Sequence, residues 1–148
     1  MTKMNTLTAR RNALSSLWAF VALNIAFADI LGLYTPGVIP EVIEGVIEGV
    51  TITENLMLVA AIFIQIPVAM IVAMQFLPVK VWRTVNASAI VVTALFVVGG
   101  GSLKPHYIFF AICEILALLS IGLLVWRSKR SDSGQNVTLN SASPERDG

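Results

Sequence analysis

A chain of 148 residues that is 56% hydrophobic and only 13% charged, with a mean hydropathy of +0.80, is too apolar for an ordinary soluble domain. A net charge of +1 with scattered basic residues excludes a nucleic-acid partner on electrostatic grounds. One cysteine, Cys113, excludes an intrachain disulfide and paired-thiol redox chemistry, and one histidine, His106, without ligands at metal spacing leaves no metal or haem site built by this chain alone.

The chain opens with a segment of 13 residues that carries Lys3, Arg10 and Arg11, followed by an apolar run from Leu14 to Leu33. Residues 1–28 also have the outline of a cleaved signal, with Ala26, Phe27 and Ala28 at the small-residue step. An apolar run of about 20 residues exceeds the usual signal core and favours a retained span. Three further apolar runs cover Glu54 to Leu77, Val81 to Val98 and Tyr107 to Trp126. Each is long enough, at about 1.5 Å per residue, to cross a hydrocarbon core of about 30 Å, and only helices satisfy the backbone there. The fold expected is an all-α, antiparallel bundle of four transmembrane helices, with the lipid bilayer as its principal partner.

Thr35, Pro36 and Gly37 end the first span, Pro78 the second and Gly99 to Gly101 the third. Between the first two spans, Pro40 to Val50 places Val42, Ile43, Val46, Ile47 and Val50 on one helical face and Glu41, Glu44 and Glu48 on the other. That pattern predicts a short amphipathic helix at the membrane surface, with an acidic vestibule as the functional alternative. Thr51 followed by Glu54 has the form of a capping box that starts the second span. After Trp126, the basic cluster Arg127, Lys129 and Arg130 stops the fourth span, and 127–148 reads as a disordered tail.

Nine of the ten Lys and Arg residues fall on the side of the amino terminus and only Lys104 on the other. The positive-inside rule then puts both termini in the cytoplasm, at the cell membrane. Trp18, Trp82 and Trp126 gather toward the inner interface, where an aromatic belt is expected. Asn136, Val137 and Thr138 spell a glycosylation acceptor, which this topology places in the cytoplasm.

Asp29 and Glu114 are the costly residues, since a charge inside the bilayer needs a partner, a proton or water. Counted from the span centres, Asp29 lies roughly 7 Å and Glu114 roughly 4 to 5 Å outward of the midplane. Asn24 and Gln65 fall close to the midplane. Ser15, Ala19, Ala22, Ala26 and Asp29 form a small-residue stripe that aims Asp29 into the bundle. Interior faces are predicted for Ala61, Gln65, Ala69 and Ala73 on the second span. On the third they are Asn86, Ala89, Thr93, Phe96 and Gly100, and on the fourth Cys113, Glu114, Ala117 and Ser120. Pro67 cannot donate to the Phe63 carbonyl, which predicts a kink beside Gln65.

Two expectations follow. In one, Asp29 and Glu114, with Asn24 and Gln65, bind a small solute and exchange a proton with it. In the other, the acids only fix helix register, and the chain serves as a noncatalytic accessory or interaction protein, as a homodimer or beside a membrane partner protein. No nucleophile and base pair or phosphate-cradling loop argues for an enzyme, no catalytic residue is assigned, and no cofactor is implied.

With the spans laid out, Leu31-Gly32-Leu33 after Asp29, Ile52-Thr53, Ile66-Pro67-Val68-Ala69-Met70, Tyr107-Ile108-Phe109-Phe110 and Glu114-Ile115 resemble a bacterial family of short four-span membrane proteins catalogued as a domain of unknown function, family 6326. The resemblance covers about Ala13 to Trp126. It implies the four-span architecture and no activity. In that family an acid commonly precedes the Ile-Pro step, where this chain has Gln65.

Overall fold

The computed structural model describes residues 2–141, with side chains for 4–126. Its elements are α1 (Thr2–Leu33), α2 (Val38–Ile43), β1 (Val46–Ile47), β2 (Val50–Thr51), α3 (Glu54–Phe76), α4 (Val79–Gly100) and α5 (Pro105–Ser141). Among the described residues, four helices are long and apolar enough to cross a membrane, over Met4–Leu33, Glu54–Phe76, Val79–Gly100 and Pro105–Trp126. The chain is a multi-pass membrane protein of all-α class. α1 packs on α3 and α5, and α4 packs on the same two helices. The four therefore close into a ring, with α1 and α4 on one diagonal.

The connection between α1 and α3 differs from the expected amphipathic helix over 40–50. α2 stops at Ile43 because Gly45 turns left-handed at φ 77, and a hairpin follows in which Val46 pairs with Thr51 and Ile47 with Val50. Its two-residue loop, Glu48 and Gly49, has φ of 49 and 81. Two successive positive φ values make the tight turn whose twist matches paired strands. The Val-Ile-Glu-Gly repetition fits a helical period on paper, but each glycine supplies a break. Thr51 is consequently a strand residue, and the cap of α3 is Thr53, whose Oγ1 accepts from Leu56 N at 3.2 Å. Glu54 sits in the first turn, where a carboxylate complements the helix dipole.

At the other end, α5 runs through Ser141 where a disordered segment is expected from residue 127. Extending a formed helix costs little, and no proline intervenes before Pro144. Residues 142–148, the remainder of the expected tail, lie outside the described residues, as does the side chain of Asn136.

The core occupies the half of the ring nearest the amino terminus. Leu14, Trp18 and Val21 of α1 meet Met70 and Met74 of α3, Trp82 and Ala89 of α4, and Leu118, Ile121 and Val125 of α5. Trp18 is fully buried, and its Nε1 donates across the diagonal to Asn86 Oδ1 at 2.9 Å. Asn86 Nδ2 in turn donates to Trp82 O at 2.8 Å and to Met74 Sδ at 3.4 Å. Trp82 Nε1 donates to Leu77 O at 3.1 Å. Trp18 and Trp82 therefore face the interior and do not form a belt. An indole can sit there because its one polar atom is satisfied. Trp126 is 67% exposed, with the Arg83 guanidinium 4.9 Å from its ring centre.

Helix ends are tied by side chains. Arg11 donates to the carbonyls of Met74 and Gln75 in the last turn of α3 and lies over the Trp82 ring at 5.3 Å. Ser15 donates to the Ile71 carbonyl. Since lipid is as apolar as leucine, such ties and close packing, more than transfer from water, hold the bundle together.

A candidate binding cavity

The opposite half of the ring is open. A cavity of about 430 Å³ lies between α1, α4 and α5 and reaches the loop that joins α4 to α5. Its walls are mostly apolar, with Ile25, Phe96, Val97, Phe110, Ala111 and Ile115 among them. Among the described residues, four polar side chains line it, Asp29, Ser102, Tyr107 and Glu114, and no lysine, arginine or histidine does.

Local sequence explains how these groups converge. Glu114 follows Ala111 by three residues and precedes Ala117 by three, so it rises from a face of α5 with little bulk to either side. It is 3% exposed, and no described group hydrogen-bonds its carboxyl. Asp29 stands exposed at the rim of α1, one residue past buried Ala28, and lines the same cavity as Glu114 without pointing into the packed bundle. The Tyr107 hydroxyl, from the first turn of α5, donates to Asp29 Oδ1 over a loose 3.4 Å. Gly32 makes that approach possible. A Cβ there would sit 2.5 Å from the Tyr107 hydroxyl oxygen, closer than any contact a side chain tolerates.

The cavity mouth is bordered by the hairpin. Glu48 Oε1 accepts from Ser102 Oγ at 2.8 Å and pairs with Lys104 Nζ at 2.9 Å. Ser102 also lines the cavity, so this latch joins the hairpin tip to the rim. The hydrogen bonds from Lys104 and Ser102 hold the Glu48 carboxyl below its ordinary range. Glu48 is the one acid of the expected vestibule that makes this link. Glu41 instead accepts from the Glu48 backbone N–H at 3.1 Å and braces the turn.

The other residues singled out from the sequence fall elsewhere. Asn24 is buried and spends its amide on its own helix, donating to Phe20 O at 2.8 Å. Gln65 is exposed on the outer side of α3 and does not line the cavity. The interior face predicted for the second span is therefore turned away. Pro67, Met70 and Met74 are the buried residues of α3, because a proline and two pliable methionines fill the space against the tryptophans. The small-residue stripe of the first span is also displaced. Leu14, Trp18, Val21, Ile25 and Ala28 point inward, and Ala26 is exposed. On α4 the predicted Asn86, Ala89 and Thr93 are buried, and Phe96 stacks on Phe63 at 5.2 Å. On α5 Glu114 and Ala117 are buried, whereas Ser120 is exposed and returns its hydroxyl to Leu116 O. Pro67 lies within one continuous helix, its ring buried against the core.

Tyr107 and Ser102 are functional candidates that the sequence reading passed over. Gly32, one turn beyond Asp29, is the signal for Tyr107, since a glycine there opens room beside the acid; nothing local marks Ser102. Among the described residues no three His, Cys, Asp or Glu side chains converge as a metal site would require. Two polar atoms among the described residues, Thr93 Oγ1 and His106 Nε2, are sealed from solvent altogether and have no hydrogen-bond partner; the Glu114 carboxyl, which opens on the cavity, is not one of them. Thr93 lies one turn from Val97 at the cavity floor.

No curated protein and no solved structure matches this chain. A family model does match, over residues 1–133. The chain belongs to the DUF6326 family, a family of unknown function.

Proposed function

We propose that this protein binds a small solute in the cavity between α1, α4 and α5, and that the Glu114 carboxyl exchanges a proton as the solute enters and leaves. The protein resides in the cell membrane with both termini in the cytoplasm and the hairpin outside, in keeping with the placement of nine basic residues against one. The observation that carries this reading is Glu114. It is a carboxyl almost wholly removed from solvent, in an apolar chamber, without a hydrogen bond from any described group. A fold that needed the acid only for register would give it a protein partner, because an unsatisfied polar group inside lipid is expensive.

The test is carbodiimide labelling of the purified protein in nanodiscs across a range of pH, with Glu114→Gln and Asp29→Asn as controls. Labelling of Glu114 that titrates, and disappears in Glu114→Gln, supports the reading. An inert Glu114 at every pH removes it.

A second reading, as an interaction protein, draws support from Gln65. Only 11% of the most apolar window of α3 is inside the bundle, against 39% for α1, and Gln65 stands on that free side with exposed Ala61 and Ala69 a turn away on either hand. A primary amide among small residues suits helix association in lipid. Cysteine cross-linking through Ala61→Cys or Ala69→Cys in a Cys113→Ser background tests it: a specific cross-linked species supports association, and none at either position argues against it.

A further inference from the structure

We infer that the cavity takes a lipophilic organic cation, a singly charged ammonium or phosphonium with an apolar body, whose charge rests against Glu114 and Asp29. The inference builds on the reading of the cavity as a proton-exchanging solute site and names the class of solute.

Shape and chemistry both point there. About 430 Å³ falls within the range of small-molecule sites. The walls offer Ile25, Val97 and Ile115 for an apolar body and the rings of Phe96, Tyr107 and Phe110 for a cation held near an aromatic face. Among the described residues the polar lining is of accepting or hydroxyl type, with two carboxyls, a phenol and a serine, and no cationic side chain. An anion would meet uncompensated negative charge. A hard inorganic dication needs six to eight oxygens, more than four polar side chains on three walls supply. A neutral solute would bring no charge to set against a carboxylate in an apolar chamber. A monocation with an apolar body meets every requirement at once, and Glu114, buried and without a partner, is the group aimed at it. The proton and the cation then compete for one carboxylate, so that binding of the cation releases the proton.

The experiment uses the full chain in phosphatidylcholine nanodiscs, with empty nanodiscs as the blank. The probes are tetraphenylphosphonium and tetraphenylborate, nearly identical in shape and opposite in sign. Tetraphenylphosphonium is expected to bind saturably, release a proton and protect Glu114 from a lipid-soluble carbodiimide. Tetraphenylborate is expected to bind at least about tenfold more weakly, and Glu114→Gln to lower the affinity for the cation by at least about tenfold, the scale of a lost charge-assisted contact. Ala111→Phe fills the chamber and leaves both acids in place. It should abolish binding while Glu114 still labels and the unfolding transition is kept. Equal affinity for the two probes, or unchanged binding in Glu114→Gln, overturns the inference. If Glu114 labels with pH and tetraphenylphosphonium fails to protect it, the cation class falls and the proton-exchanging site stands. If Glu114 is inert throughout, both fall together.

Discussion

Replacing Asn86 with leucine tests whether the diagonal hydrogen bond from Trp18 holds the bundle. The side chains share a branched skeleton of four heavy atoms, the added bulk of the leucine methyls is common to both arms of the mutant cycle, and the Trp18 indole N–H loses its acceptor. Both residues are fully buried, and water cannot substitute. Leaving a buried donor without a partner costs about 1–3 kcal/mol. The contact from Asn86 to Met74 sulfur is weak, and the Trp82 carbonyl it also engages lies one turn back on the same helix, so neither adds much. Interhelical polar contacts in membranes average nearer 0.6 kcal/mol, because unfolded helices in detergent also find partners. The expectation is therefore a loss of about 1–2 kcal/mol, read as a shift in the unfolding midpoint in mixed detergent micelles. Trp18→Phe removes the donor. On that background Asn86→Leu should cost markedly less, and the difference is the coupling energy of the pair. If Asn86→Leu costs the same with and without the indole, the pair does not act as argued.

Three further outcomes are expected. Arg11→Gln removes a cation from the last turn of α3 and from the face of Trp82, and should lower stability by about 1–2 kcal/mol. Arg11→Lys should recover only part of that, since an ammonium lacks the flat guanidinium set over the Trp82 ring; full recovery in the same micelle titration would contradict the geometry. Gly32→Ala drives a methyl against the Tyr107 hydroxyl and should cost about 1–3 kcal/mol through overpacking. Adding Tyr107→Phe, which removes the oxygen at 2.5 Å, should relieve much of that cost. The Glu48 latch depends on pH with a definite sign. Its carboxyl is held below the ordinary value of 4.5, so its contribution is complete above that pH and is lost as the pH falls through the lowered value. Hydrogen exchange of residues 46–52 should thus accelerate in acid relative to Glu48→Gln at the same pH, and salt should weaken the latch at neutral pH.

The spans and their polar core residues were legible because lipid imposes a strict requirement. A long apolar run must be a helix, and Asn86, Thr93 and Glu114 mark the side that avoids lipid. The same logic misplaced α3. Gln65, the polar residue in the middle of its apolar stretch, was read as interior, yet Pro67, Met70 and Met74 are the buried ones. Small and polar residues signal close helix contact without saying whether the contact is within the bundle. Trp18 and Trp82 defeated a statistical preference for the interface because Asn86 and a backbone carbonyl each take an indole proton, a pairing that no local pattern reveals. The hairpin was hidden by a four-residue repeat that suits a helix equally well, and the φ values at Glu48 and Gly49 depend on strand pairing. Asp29 and Glu114 could be matched in depth by counting residues. That α4 stands back to leave a chamber beside them could not.

The contrast between the packed half and the hollow half has an electrical consequence. A voltage across the membrane drops where charge cannot move, which here is the dry stack of Trp18, Met74, Asn86 and Ile121. Carrying one charge through the whole potential involves about 2.3 kcal/mol per 100 mV. A cation that reaches Glu114 through the hairpin end crosses little of that drop, so occupancy of the chamber should barely respond to voltage. Passage beyond the tryptophans would bear nearly all of the electrical work.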